Sequence, residues 1–167
     1  MDAATFVEMA QPLERLLYSV SWSMLSNNED CADAIQETLA KAWKMRDTLK
    51  NTKAIKAWLV RIMVNTCRDM LRRRGDRQFV ELEEDMLVTS EAEVFDDCVK
   101  EVMASLPPEQ RAAVILHYVE GYKLREIAEM LDLPMGTVKT RLLYARNAMK
   151  RQLEERTEKG GVQHDRA

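Results

Sequence analysis

Two amphipathic segments separated by only two residues constrain this chain more than any other feature. Residues 124–131 and 134–153 carry apolar side chains at helical spacing, and only Asp132 and Leu133 join them. So short a joint forces the helices to cross steeply. Asp132 falls where a left-handed backbone is needed, which Asp accepts better than most non-glycine residues. Ile127, Ala128 and Leu131 are placed to pack on Val138, Leu142, Ala145 and Met149, with the small Ala128 permitting close approach. The opposite face of the second segment then presents Lys139, Thr140, Leu143, Tyr144 and Arg146. Cations and hydroxyls on an exposed helix fit a DNA major groove, whose base edges are distinguishable. A plain helical hairpin in a three-helix core would produce the same turn, so pattern alone leaves both readings open.

The remaining periodicity is also helical, so the expected fold is all-α: two small helical bodies joined by a flexible acidic linker. Phe6, Met9, Leu13, Leu16, Leu17, Val20 and Met24 recur at three- and four-residue steps and predict one amphipathic helix. Asn27 and Asn28 end it and can cap the next, which starts with Glu29 and Asp30 at its positive end and runs to about residue 46. Its expected core stripe is Ile35, Leu39, Ala42 and Trp43. Residues 46–53 lack apolar periodicity and read as a loop, and residues 54–74 are helical until Gly75. Beyond a linker at 76–93, a second body spans 94–153: a helix over 94–105, another from Pro108 through Tyr118 ending at Gly121, and then the tightly joined pair. A disordered tail is expected over 154–167.

Charge divides the chain in the same places. The 25 Lys and Arg against 28 Asp and Glu give a net charge of -3, but residues 51–80 carry +6, residues 81–101 carry -8, and residues 132–167 carry +3. Two basic modules around an acidic connector suggest two surfaces that face nucleic acid. Within the first, Arg61, Asn65, Arg68 and Arg72 follow one another at steps of four, three and four and form a single stripe, with Ile55, Leu59, Ile62, Met63 and Met70 on the other side. Cations track phosphates, and an amide among them can read a base, although a solvated charged face has the same pattern. Trp58 lies at the stripe's edge and suits the core better than a stacking platform.

Other classes fit poorly. Cys31, Cys67 and Cys98 stand apart in no metal or redox spacing, and the two histidines, His117 and His164, have no partner motif. No glycine-rich phosphate loop is present, so neither catalysis, a cofactor nor a metal is expected. The longest apolar runs are too short to cross a bilayer and the N-terminus has no basic-then-apolar leader, which together predict a cytoplasmic protein.

Taken together, the residues resemble the extracytoplasmic-function group of bacterial sigma factors. Asp33-Ala34-Ile35-Gln36-Glu37 followed by Trp43 is similar to the D-x-x-Q-E motif of sigma region two. Ala57-Trp58-Leu59-Val60-Arg61-Ile62 with Asn65 and Asp69 resembles that region's promoter-reading helix. Leu106-Pro107, Arg111, Glu126-Ile127-Ala128, Gly136 through Leu142 and Ala145-Arg146 resemble region four almost end to end. Leu39 stands where Phe is frequent, Met63 where a small residue is common, Asp132 where Gly is usual, and Leu59 where housekeeping sigma factors have a second aromatic.

The resemblance implies a division of labour. Asp33, Gln36 and Glu37 would meet the clamp helices of the RNA polymerase largest subunit. The loop holding Asp47, Thr48, Leu49, Lys50, Asn51 and Thr52 would grip a flipped base of the minus-ten element, with Asn65 beneath it and Trp58 where the strands part. Lys139, Thr140, Leu143 and Tyr144 would read the minus-thirty-five element, with Arg141 and Arg146 on phosphates. The implied partners are core polymerase, promoter DNA and an anti-sigma factor, which in many relatives is membrane-bound, with no insertion of this chain into a membrane. An autonomous helix-turn-helix regulator and a protein-binding helical adaptor remain alternatives at this stage.

Overall fold

A computed structural model describes residues 1–75, Glu101 and residues 103–164, with side chains placed for most of them. The expected linker at 76–93, most of the helix predicted over 94–105, and Cys98 lie outside the described residues. Every regular element among the described residues is helical.

The first predicted helix is two. Helix α1 (Ala3–Ala10) opens on Asp2, whose carboxylate accepts from Thr5 N at 2.8 Å, and that bond holds the Asp2 carboxyl below its usual range. A 3-10 turn over Gln11–Leu13 then interrupts the chain before α2 (Glu14–Leu25). Pro12 is the cause: it has no N–H to donate and its ring crowds the preceding turn. Helix α2 ends on Ser26, a non-glycine residue at φ 54°. Asn27 caps α3 (Asn28–Lys44), as its sequence position predicts, accepting from Asp30 N at 3.1 Å.

Helix α3 buries smaller residues than its sequence suggested. Cys31, Ala34, Thr38 and Ala42 are fully buried, while Ile35, Leu39 and Trp43 are half-buried at the edges. Small side chains let α3 approach α4 (Ile55–Arg73) closely, and Thr38 donates to Met63 Sδ across the contact at 3.6 Å. Between them the predicted loop contains two short 3-10 turns, Arg46–Thr48 and Thr52–Ala54.

Met103 and Leu106 are buried ahead of Pro107 and Pro108, which open the next helix. Helix α5 (Pro108–Val114) runs directly into a π turn, Ile115–Val119, where Glu120 N reaches back to Ile115 O at 3.0 Å. Periodicity predicts one continuous helix here, and the π turn interrupts it. His117 Nδ1 donates to Tyr122 O at 3.0 Å and helps close the wide turn. Helix α6 (Leu124–Leu131) and α7 (Met135–His164) form the tight pair. Ile127, Ala128 and Leu131 are buried together with Val138, Leu142 and Ala145, and Met149 is half-buried beside them. Asp132 adopts φ 55°, ψ 52°, the left-handed conformation the joint demands, and Leu133 N donates to Ala128 O at 2.9 Å. Helix α7 does not stop at residue 153: it continues to His164, so the expected tail is helical up to that residue. Leu153, Glu154 and Glu155 are all good helix formers, and nothing breaks the run at that point.

Helices α2 and α4 also pack on α5 and α6 respectively, giving one apolar core. Cys31 and Cys67 are wholly inside it, and burial pushes the Cys67 thiol up from about 9 to about 12 and raises that of Cys31. A thiol kept neutral by folding stabilises the protein below the unfolded pKa and loses that contribution as pH rises from about 9 towards 12. We predict that neither thiol reacts with a soluble disulfide reagent at pH 8 until denaturant is added, and that the denaturant midpoint falls across that alkaline window.

Candidate nucleic-acid interface

The helix that follows the tight joint displays the side chains its pattern promised. Leu143 and Tyr144 are 57% and 64% exposed, far more than large apolar side chains of a packed helix, and Lys139, Thr140 and Arg146 are exposed on neighbouring turns. Thr140 Oγ1 donates to Gly136 O at 2.8 Å, so its free lone pairs face outward as acceptors. Arg141 differs from its neighbours: it is half-buried and pairs with Glu109 at 2.9 Å.

In the first body, α4 sets the polar stripe. Asn65 and Arg72 are exposed, whereas Arg61 and Arg68 are half-buried and turned towards the second body. Arg68 Nε donates to Glu109 Oε1 at 2.7 Å while its Nη1 donates to Asn65 Oδ1 at 3.0 Å. Arg61 Nη2 donates to Glu129 O at 2.8 Å. Trp58 is half-buried against the core. At the head of α4, Asp47, Thr48, Lys50 and Asn51 are exposed and Leu49 is half-buried. The loop is braced from below: Thr48 Oγ1 donates to Met45 O at 2.7 Å, Asn51 Oδ1 accepts from Lys53 N at 3.0 Å, and Arg46 lies 4.0 Å over the Trp43 ring while donating to Trp43 O. Hydrogen-bonded turns thus flank Leu49 and Lys50 on both sides.

On α3, Asp33 and Gln36 are exposed one turn apart, and Glu37 bonds Lys41 at 2.9 Å with Arg73 at 3.7 Å. Lys41 first, and Arg73 after it, hold the Glu37 carboxyl below its usual range. This places a polar ledge, with Asp33 exposed and Glu37 paired to two cations, on the side of α3 away from its buried stripe. Among the described residues no group of three or more His, Cys, Asp or Glu could hold a metal, and no helix is long and apolar enough to cross a membrane.

Residues 9–77 match the family model for Sigma-70 region 2, and residues 96–149 match that for Sigma-70, region 4. The chain is 33% identical over 138 residues to RNA polymerase sigma factor SigV of Bacillus subtilis, covering 81% of this chain and 83% of that protein. It is 31% identical over 154 residues to ECF RNA polymerase sigma factor SigM of Mycobacterium tuberculosis, covering 91% of this chain and 79% of that protein. This chain belongs to the extracytoplasmic-function sigma factors. The sigma-factor fold is reproduced in the structure of RpoE bound to the anti-sigma factor NepR from Bartonella quintana, with a TM-score of 0.75, 27% identity, and coverage of 90% of this chain and 97% of that one. The structure of CnrH with the cytosolic domain of CnrY shares the fold at a TM-score of 0.70 and 22% identity, covering 92% of this chain and 90% of that one.

For this sigma factor, periodicity locates the outward faces but not the ion pairs that join elements distant in sequence. Glu109 was legible only as a helix N-terminal acid, and nothing local marks it as the partner of Arg68 and Arg141. Arg111 is another: its guanidinium donates to Ser26 Oγ at 3.3 Å and Met24 O at 3.4 Å. Two substitutions separate folding from surface chemistry. Ile127→Ala, at a fully buried position, is expected to cost about 2–5 kcal/mol. Asn65→Ala, exposed and bonded only through Arg68, is expected to change stability by less than about 0.5 kcal/mol in denaturant titration.

Proposed function

We propose that this chain is the promoter-selecting subunit of a bacterial RNA polymerase. It binds core polymerase, brings it to promoters by reading a minus-thirty-five and a minus-ten element, and promotes strand opening. One observation carries the reading: a region 2 match and a region 4 match lie in order in one chain, each over a helical body with an exposed polar face. The pairing disfavours both a lone helix-turn-helix regulator and a helical adaptor, neither of which needs region 2.

Asp33, Gln36 and Glu37 dock on the clamp helices of the largest subunit. The braced loop at Asp47, Thr48, Leu49, Lys50 and Asn51 receives an extruded minus-ten base, Asn65 contacts it, and Arg61, Arg68 and Arg72 follow the backbone. Trp58 supports the point where the strands separate, and Leu59, wholly buried, takes no part at the DNA face. In the second body Lys139, Thr140, Leu143 and Tyr144 enter the major groove, while Arg141 and Arg146 hold phosphates. Because the Thr140 hydroxyl proton is engaged by Gly136, Thr140 presents acceptors and favours an amino group on adenine or cytosine. With a net charge of -3 the free chain attracts DNA weakly, so core polymerase supplies the affinity and an anti-sigma factor withholds the chain from it.

Run-off transcription with purified core on a promoter library tests this. New start sites sharing two elements are expected, and Lys139→Ala should lower their output roughly tenfold. Failure of core to bind the chain, or transcription unchanged by it, contradicts the reading.

A further inference from the structure

Arg46 stands at the head of the loop that the function above gives to the minus-ten element, yet its guanidinium bonds the protein itself. The side chain folds back on α3: Nη1 donates to Trp43 O at 2.7 Å, and the guanidinium lies 4.0 Å over the Trp43 ring. These two attachments use the fork and the flat face of one guanidinium together, which the point charge of a lysine does not reproduce. Trp43 is held in turn, its ring meeting that of Phe6 on α1 edge-on with the centroids 5.5 Å apart. Phe6 is buried, and Trp43 and Arg46 are half-buried.

The same residue closes the first turn of the loop. Arg46 O accepts from Leu49 N at 3.2 Å, and Met45 O beside it accepts from Thr48 N at 2.8 Å and from Thr48 Oγ1 at 2.7 Å. Leu49 is thereby tied through the Arg46 backbone, and then through the Arg46 side chain, to the last turn of α3 and to a ring that rests on α1. Among the described residues, no other side chain of 46–51 hydrogen-bonds to α3. Without Arg46 the loop keeps only its own turn bonds. Reading an extruded base needs the receiving side chains held to within about 0.5 Å, and Arg46 supplies a tie from the loop to packed helices.

We propose that Arg46 is a positioning residue for minus-ten readout: by bonding the end of α3 and stacking on the Phe6–Trp43 ring pair, it sets the shape in which residues 47–51 receive the extruded base. The proposal rests on the reading that this loop takes that base, and the test separates the two. Purified core is combined with the parent chain, with Arg46→Ala, with Arg46→Lys, or with the loop variant Leu49→Ala/Lys50→Ala. Each holoenzyme transcribes one promoter library randomised at both elements, and the transcripts are sequenced. A loop out of shape accepts a base without preference, so discrimination falls by the factor by which the competent shape is depopulated. Arg46→Ala should lower discrimination at the extruded base roughly fivefold, the equilibrium equivalent of one partly exposed cation–π contact. The minus-thirty-five preferences should be unchanged and the thermal midpoint of the free chain should stay within about 4 °C of the parent. Arg46→Lys, which keeps a cation for the ring and loses the fork, should restore part of the preference. Unchanged discrimination in Arg46→Ala, with discrimination altered in the loop variant, overturns the positioning role and leaves the loop reading intact. Equal loss of output for every minus-ten base, the mark of a phosphate contact, overturns the positioning role as well. So does equal loss at both elements in Arg46→Ala and Arg46→Lys alike, the mark of a merely structural residue. If neither Arg46→Ala nor the loop variant changes the minus-ten preference, the loop reading fails together with the positioning role.

Discussion

Helix α4 is packed from two directions, and the rest of the molecule is arranged around that burial. Leu59, Val60, Ile62, Met63, Val64, Thr66 and Cys67 are all buried, more of the circumference than one amphipathic face provides. Helices α2 and α3 cover one side and α6 covers another. A polar stripe is then left only as a narrow seam: Asn65 and Arg72 open to solvent, Arg61 and Arg68 at the border with the second body. The helix that holds the first body together thus also decides which of its cations are available. Burial fixes the backbone of α4, and a fixed backbone is what sequence recognition by side chains requires.

The electrostatics follow from the same geometry. Arginine suits both uses at this border, because its planar fork binds a carboxylate or a phosphate with the same donors. Glu109 takes Arg68 across the border between the bodies and Arg141 within the second body, so one carboxylate ties the two together. The acidic residues placed against the basic stripes, Glu109 and Asp132, are few and partly exposed, consistent with a contact of moderate strength. Arg111 also joins α5 to α2 through Met24 O and Ser26 Oγ, and desolvation lowers its guanidinium pKa.

Most of the fold could be read from local pattern, because it is made of local pattern. The α6–α7 joint, the left-handed Asp132, the Asn27 cap and the exposed Lys139, Thr140, Leu143 and Tyr144 each follow from residues a few positions apart. Several features did not follow, among them the continuation of α7 past residue 153 to His164. Pro12 divides the first helix, since an apolar repeat can persist across a break in hydrogen bonding. The buried stripe of α3 runs through Ala34 and Thr38, because a close helix contact selects small side chains over the large ones a periodicity count favours. The π turn at Ile115–Val119 inserts one residue without altering composition. The ion pairs of Glu109 join residues 41 and 32 positions away in sequence, a distance at which periodicity carries no information.

The central claim is that the α4 seam meets the minus-ten element when core polymerase holds the chain. A photoreactive residue placed at Asn65 in the holoenzyme, irradiated on a labelled promoter, measures this directly. The account predicts a crosslink confined to the minus-ten bases and dependent on core. A crosslink to polymerase protein alone, to distant duplex, or of equal strength without core would contradict it.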